Sequence, residues 1–275
     1  MVDADITWLL SGVDTKRWNI QAGSLWRPPV AVRRSVLTVP NRHGTVRTTR
    51  PPVFEEPVVS LEMRCKGVMS SLEAAYNELQ SLLTAPGLVL GRSSGGITTS
   101  APVEFVTGSP GQFVADTIAD ISVQLAVPGV FFRAASVDSA PEGVTTGEVV
   151  SLPGLAVGTG PVGDAVLRFR GAATSVSIVD VVSGTGISWT GALTGSQFLF
   201  LHPATATARI ATASDWVTGG TDVSGGLSYP APGLLQIWPR MAAADPALRA
   251  ASVTVTGAGF DGTTALTVRA QPAYL

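Results

Sequence analysis

The side chains that could do chemistry are few. Gly91-Arg92-Ser93-Ser94-Gly95 has the G-x-S-x-G spacing of a serine nucleophile and follows the apolar run Leu88-Val89-Leu90. A nucleophile elbow must lead directly into a helix, and Gly96 to Pro102 is a poor helix former. Gly158-Thr159-Gly160-Pro161-Val162-Gly163 matches G-x-G-x-x-G, but Pro161 and the strand-like residues after it remove the helix N-terminus that would hold a pyrophosphate. The two histidines, His43 and His202, have no acid and nucleophile nearby in sequence. Asp180, Asp215 and Asp222 lie scattered among turn residues without the dense oxygen spacing of a calcium loop, and are expected as solvated turn caps. The single Cys65 excludes an intrachain disulfide, and one cysteine with two histidines cannot build a Cys/His zinc cage. Cys65 is expected as a reduced, half-buried strand-end residue. No catalytic, metal or cofactor site is expected, and the chain does not read as an enzyme.

The most structured stretch runs from Val36 to Gly91. Val36-Leu37-Thr38-Val39 is a β-branched, apolar strand, and Asn41 to Gly44, which includes Arg42 and His43, supplies the residues of a reversal. From Thr45 to Pro57 a run of Thr, Arg and Pro has no apolar period, so an extended basic arm carrying Arg47 and Arg50 is expected. Val58 to Met63 resumes as a strand. Ser70 and Glu73 have capping-box spacing, and Leu72, Tyr76, Leu79 and Leu83 form one apolar helical stripe that ends at Pro86-Gly87. A projecting arm on a small α+β unit suits contact with a neighbouring subunit better than catalysis.

Composition narrows the class. A chain of 275 residues holds about two domains. Charged residues are 14%, with 30 Gly and 19 Pro, which favours β structure rich in turns over helical bundles. The mean hydropathy of +0.32 is high for a soluble monomer, and with the low charge it is read either as surface buried between subunits or as a Thr- and Ser-covered β surface. Val181 to Ala208 is the longest stretch without charge, but its Ser, Thr, Gly and Pro203 make it no membrane span. The start MVDADITWLL lacks the positive and apolar segments of a signal peptide, so synthesis in a cytoplasm is expected. Residues 1–66 carry 10 Lys and Arg against 6 Asp and Glu, whereas residues 67–275 carry 8 against 14. That asymmetry could attract nucleic acid, but no reading helix or interleaved aromatics accompany the basic residues. The preferred reading is a basic arm that meets acidic surface on another protein copy.

Trp8, Trp18 and Trp26 cluster near the start and are expected to anchor that end to a core. Asp120 to Val127 alternates strictly, with Ile121, Val123, Leu125 and Val127 on one face. Residues 139–163, rich in Pro, Gly, Thr and Val without aromatics, are expected as a linker between a first domain of residues 1–138 and a second of residues 164–275. In the second, eight β-like segments follow: Ala165–Phe169, Ser175–Val181, Gly186–Trp189, Gln197–Leu201, Ala208–Thr212, Leu234–Trp238, Ser252–Thr256 and Ala265–Ala270. Their spacing indicates an antiparallel sandwich or jelly roll.

The order of strand, V-P-N-R-H-G turn, Arg-rich arm, strand, S-S-L-E-A-A-Y-N-E-L-Q-S-L-L helix and alternating strand ending in V-P-G-V-F-F-R resembles the N-terminal half of the distal tail proteins, or minor tail proteins, of long-tailed bacteriophages (siphoviruses). The second half is similar to their galectin-like β-sandwich. The resemblance implies a mainly β fold, an N-terminal α+β ring-forming domain and a structural role in the virion. In that role a homo-oligomeric ring of six copies joins the tail tube protein to the tail-tip hub or receptor-binding proteins. The projecting basic arm, read from its residues, is expected to set Arg42, His43, Arg47 and Arg50 at the subunit interface. The alternative is a carbohydrate-binding module recognising host-surface glycans through Trp189, Trp216 and Trp238, with His202 and Tyr229 nearby. The second domain contains no Asn, which weakens a galectin-type sugar site.

Overall fold

The computed structural model describes residues 7–21, 23–25, 28–33, 36–38, 45–47, 51–109, 112–115, 117–216, 219–230, 232–241 and 249–274, without the side chains of residues 17, 36–38, 45–47 and 112–115. The chain forms two compact units, the first drawn mainly from residues up to Ala134 and the second mainly from Ala135 to Tyr274.

The first unit contains β1 (Thr7–Leu10), β2 (Val58–Lys66), α1 (Met69–Leu83), β3 (Val89–Ser94), β4 (Ile97–Pro102), β5 (Glu104–Gly108) and β6 (Ile118–Ala126). β1, β3 and β4 pair antiparallel in that order, and β5, β6 and β2 form a second antiparallel sheet. The longest pairing sets Leu125 opposite Val59, Val123 opposite Leu61, Ile121 opposite Met63 and Ala119 opposite Cys65. Because side chains alternate across a strand, these eight residues share one face. All are at most 5% exposed, and Val127 is buried with them. Each large apolar side chain buried this way contributes about 1.5–3 kcal/mol. The opposite face is polar. Arg64 donates to both oxygens of Asp120 at 2.6 and 2.8 Å, and Ser122 Oγ donates to Glu62 Oε1 at 2.8 Å.

Helix α1 presents Leu72, Ala75, Leu79 and Leu83 to the same core, with Tyr76 partly buried. Its start differs from the capping-box expectation. The N-cap is Val68, which carries no capping side chain, and Ser71 Oγ donates to the Val68 carbonyl at 2.7 Å. Starting at Met69 puts Ser70 inside the first turn, where it cannot cap. At the other end Thr84 Oγ1 donates to the Gln80 carbonyl at 2.8 Å, closing the helix before Pro86. Trp18 is fully buried and its indole N–H donates to the Ala75 carbonyl at 2.9 Å, which ties the early chain to the helix; Trp8 is buried as well, and Trp26 lies outside the described residues.

The arm is a paired hairpin. Val36–Thr38 pairs antiparallel with Thr45–Arg47, and Val32–Arg33 with Val53–Phe54. Thr45–Arg47, expected as the start of an extended arm, is therefore paired strand, while the expected turn at Asn41 to Gly44 and Arg50 lie outside the described residues. Isolated two-stranded ribbons are marginal in water.

The second unit contains β7 (Glu148–Ser151), β8 (Val166–Arg170), β9 (Ala173–Asp180), β10 (Gly186–Leu193), β11 (Phe198–His202), β12 (Thr207–Ala211), β13 (Ser252–Ala258) and β14 (Ala265–Ala270). One sheet runs β14-β8-β11-β12 and the other β7-β13-β9-β10, all antiparallel. Leu167, Phe169, Leu199, Leu201, Leu266 and Val268 of the first sheet and Val176, Ile178, Ile187, Val253 and Val255 of the second fill the sandwich core. The expected linker is not one. Val137–Asp138 and Glu142–Gly143 pair with β14, and β7 pairs with β13, so residues 139–163 belong to the sandwich. Val144, Val150, Leu152 and Leu155 are buried there; small apolar side chains sufficed to fix a segment whose Gly and Pro content suggested freedom. Leu234–Trp238 forms only isolated bridges, through Leu234 and Ile237, in place of the expected strand.

Candidate interaction surface

The motifs suggestive of catalysis dissolve into structure. Gly91 to Ser94 lies in β3, and the chain turns at Gly95-Gly96, both at positive φ, to return as β4 instead of a helix. Ser93 sits opposite Thr98, whose hydroxyl donates to it at 3.2 Å. In the Gly158–Gly163 run the amides of Thr159 and Gly160 donate to the Ala273 carbonyl at 2.7 and 3.0 Å, so they are not aimed at a ligand. Cys65 faces the first unit's core, more deeply than the half-burial expected. Asp222 caps a short turn by accepting from the amide and hydroxyl of Ser224. Asp180 departs from the solvated-cap expectation: it is 1% exposed and accepts from the amides of Val182, Ser183 and Trp238. Burial pushes its carboxyl above the usual range despite those bonds.

Of the arginines and histidine assigned to a subunit interface, Arg42, His43 and Arg50 lie outside the described residues, as does the Arg47 side chain; Arg47 itself ends the strand opposite Val36. The three candidate sugar-stacking tryptophans do not converge. Trp189 is core, 2% exposed, with its N–H donating to the Val223 carbonyl at 3.2 Å. Gly191 and Gly226 make room for that indole, since a Cβ at either would overlap its ring atoms. Trp189 therefore offers no face to a sugar. Trp238 and Tyr229 are half-buried along the 228–238 segment.

Trp216 sits elsewhere, over the outward face of the β14-β8-β11-β12 sheet. The Arg168 and Arg269 guanidinium carbons both lie 4.6 Å from its ring centroid, and Phe200 meets it edge-on at 6.1 Å. Its N–H donates to Asp138 Oδ2 at 3.2 Å, and Asp138 also receives two bonds from Arg269, each 2.6 Å. Those Arg269 bonds hold the Asp138 carboxyl below its ordinary range against some desolvation, with smaller help from Trp216 and Arg168. Arg168 donates to the Ser214 carbonyl and, at 3.4 Å, to Thr267 Oγ1. Burial, with the Arg269 charge, lowers its pKa, and Asp138 opposes that. The strand registers set Thr267, Arg168, Phe200, Arg209 and Asp222 in one row across the same face, with Arg170 opposite Phe198 beside it. His202 at the end of β11 is half-buried, and desolvation followed by Arg209 depresses its basicity. Sequence reasoning listed Trp216 but missed its arginine neighbours, although alternation in Leu167-Arg168-Phe169-Arg170 signals two arginines on one face.

Among solved structures, the Dit protein (gp 19.1) of phage SPP1, described as a paradigm of the hub adsorption apparatus in phages infecting Gram-positive hosts, superposes with a TM-score of 0.60 at 11% identity, over 98% of this chain and 99% of its own. This chain shares the fold of that protein. Chains of the phage P2 baseplate in its activated conformation, with Ca and with Sr, also align, over 97% of this chain and 98% and 97% of their own, at TM-scores of 0.42 and 0.43 and 6% identity. No protein-family model and no curated protein matches the sequence. The likeness to the Dit protein covers both units, the hairpin-bearing α+β unit and the sandwich that carries the arginine-rich face.

Proposed function

We propose that this chain is a non-enzymatic structural component of a phage tail tip, forming a ring that joins the tail tube to the hub or receptor-binding apparatus. The observation that supports it is the end-to-end superposition on a hub protein of the adsorption apparatus, which spans almost the whole of both chains. The α+β unit forms the ring, with six copies as the expected number, and the projecting hairpin carries Arg42, Arg47 and Arg50 toward the next copy. Head-to-tail contacts of this kind use two different surfaces per copy and close when the rotation allows. The galectin-like sandwich then faces the adsorption apparatus. Sedimentation of the purified chain, alone and with its neighbouring tail proteins, tests the reading: a species near six times the 28.3 kDa chain supports it. A chain that stays monomeric under every such condition contradicts it.

A further inference from the structure

We propose that the outward face of the β14-β8-β11-β12 sheet, centred on Arg168, Arg170 and Trp216, is a docking surface for a carboxylate-rich segment of another protein. The charge distribution carries the inference. Residues 135–274 hold six arginines and no lysine against nine Asp and Glu, so the unit is net acidic. Yet four of those six arginines, Arg168, Arg170, Arg209 and Arg269, lie on this one face, where the strand registers of the described residues set Asp138 and Asp222 beside them. An acidic unit that gathers its cations on a single sheet face presents a local field opposite to its net charge, which steers and orients anionic partners.

The side chains are also set for carboxylates. Arg269 already grips Asp138 through two parallel bonds, the planar fork geometry that distinguishes Arg from Lys. Arg168 is held in place by Trp216, by Phe198 at 5.8 Å and by its bonds to Ser214 and Thr267, so little ordering remains to be done on binding. Neither Arg168 nor Arg170 makes an ion pair among the described residues. Burial, the larger cause, and the neighbouring Arg269 charge lower the basicity of Arg168 while Asp138 opposes them, and an added carboxylate would act in the direction of Asp138. The Trp216 indole N–H that would hold a sugar hydroxyl is already given to Asp138. Arg and Trp side chains on an outward sheet face have the composition of protein interface hot spots.

The inference goes beyond the ring reading and does not need it. The test titrates the full chain into fluorescein-labelled decaglutamate at low salt, followed by anisotropy. Arg168→Ala with Arg170→Ala is expected to weaken binding at least tenfold. Arg240→Ala with Arg249→Ala, which removes the same charge from elsewhere in the unit, is expected to weaken it less than twofold. The N-terminal arginines are present in both and contribute a common background. Arg168→Lys keeps the charge and is expected to fall with the alanine pair, because the fork and the stacking are lost. If the Arg168 variants melt early, the exposed Arg170→Ala, expected to weaken binding severalfold, decides alone. Equal losses in the two double variants, or no binding by the native chain, overturn the proposal. So does tighter binding of an oligomeric glycerol phosphate than of decaglutamate, which would assign the face to a phosphate-bearing glycan.

Discussion

Asp180→Asn isolates the buried carboxylate at the end of β9. Its Oδ2 accepts from the amides of Val182 and Ser183 at 3.1 and 2.6 Å, and its Oδ1 from the Trp238 amide at 3.1 Å. Asparagine has one acceptor oxygen, so the best orientation keeps the pair and leaves the Trp238 amide facing an NH2 group. One stranded buried donor costs about 1–3 kcal/mol. In a unit of this size that lowers the melting temperature by roughly 2–12 °C, at about 2–4 °C per kcal/mol. The pH dependence is the sharper readout. Because the folded carboxyl is raised above its unfolded value, the folded state holds its proton longer. The native chain then loses stability as pH rises from the unfolded value, near 3.9, through the raised folded one, while the variant has no such loss. The variant's deficit, measured by urea unfolding at a series of pH values, is therefore expected to shrink as pH rises through that window. A deficit that grows over the same range would mean that the amide bonds outweigh desolvation, and would refute the reasoning.

Trp18→Ala is expected to cost about 3–5 kcal/mol and Trp18→Phe about 1–2, the difference separating lost volume from the bond to Ala75; calorimetry should show the first unit melting earlier in both. Arg47→Glu with Arg50→Glu should leave circular dichroism and melting unchanged while abolishing the assembled species in sedimentation; loss of folding would place the arm in the core. Residues 135–275 expressed alone should fold cooperatively, because β7 and the strands before it complete the sandwich. A fragment starting at 164 should unfold or aggregate, since it exposes the unpaired edges of β13 and β14.

Where alternation or helical period was long, the sequence was enough to read the fold. Ile121, Val123, Leu125 and Val127 share the buried face, Leu72, Leu79 and Leu83 the helix stripe, and Ala265–Ala270 is β14 to the residue. The failures have a common cause, which is tertiary context acting on locally neutral residues. Residues 139–163 contain no aromatic anchor, yet strand pairing with β13 and β14 from the far end of the chain holds them in the sandwich. Ser70 and Glu73 had the right spacing for a cap, but the N-cap falls two residues earlier, at Val68, and leaves Ser70 inside the helix. The surface around Trp216 joins side chains from residues 138, 168, 216 and 269, a set no local window contains. Trp189 and Trp216 look alike in sequence, and only the glycines packed on the first distinguish core from surface.

The central claim, that this chain is a tail-tip ring protein, is tested most directly by imaging the tail tip of the phage particle that carries it at a resolution sufficient to place the two units. The account predicts a closed ring of copies between tube and hub, with the α+β units touching one another through the hairpin. A tail tip in which this chain is absent, or present as separated single copies, would contradict it.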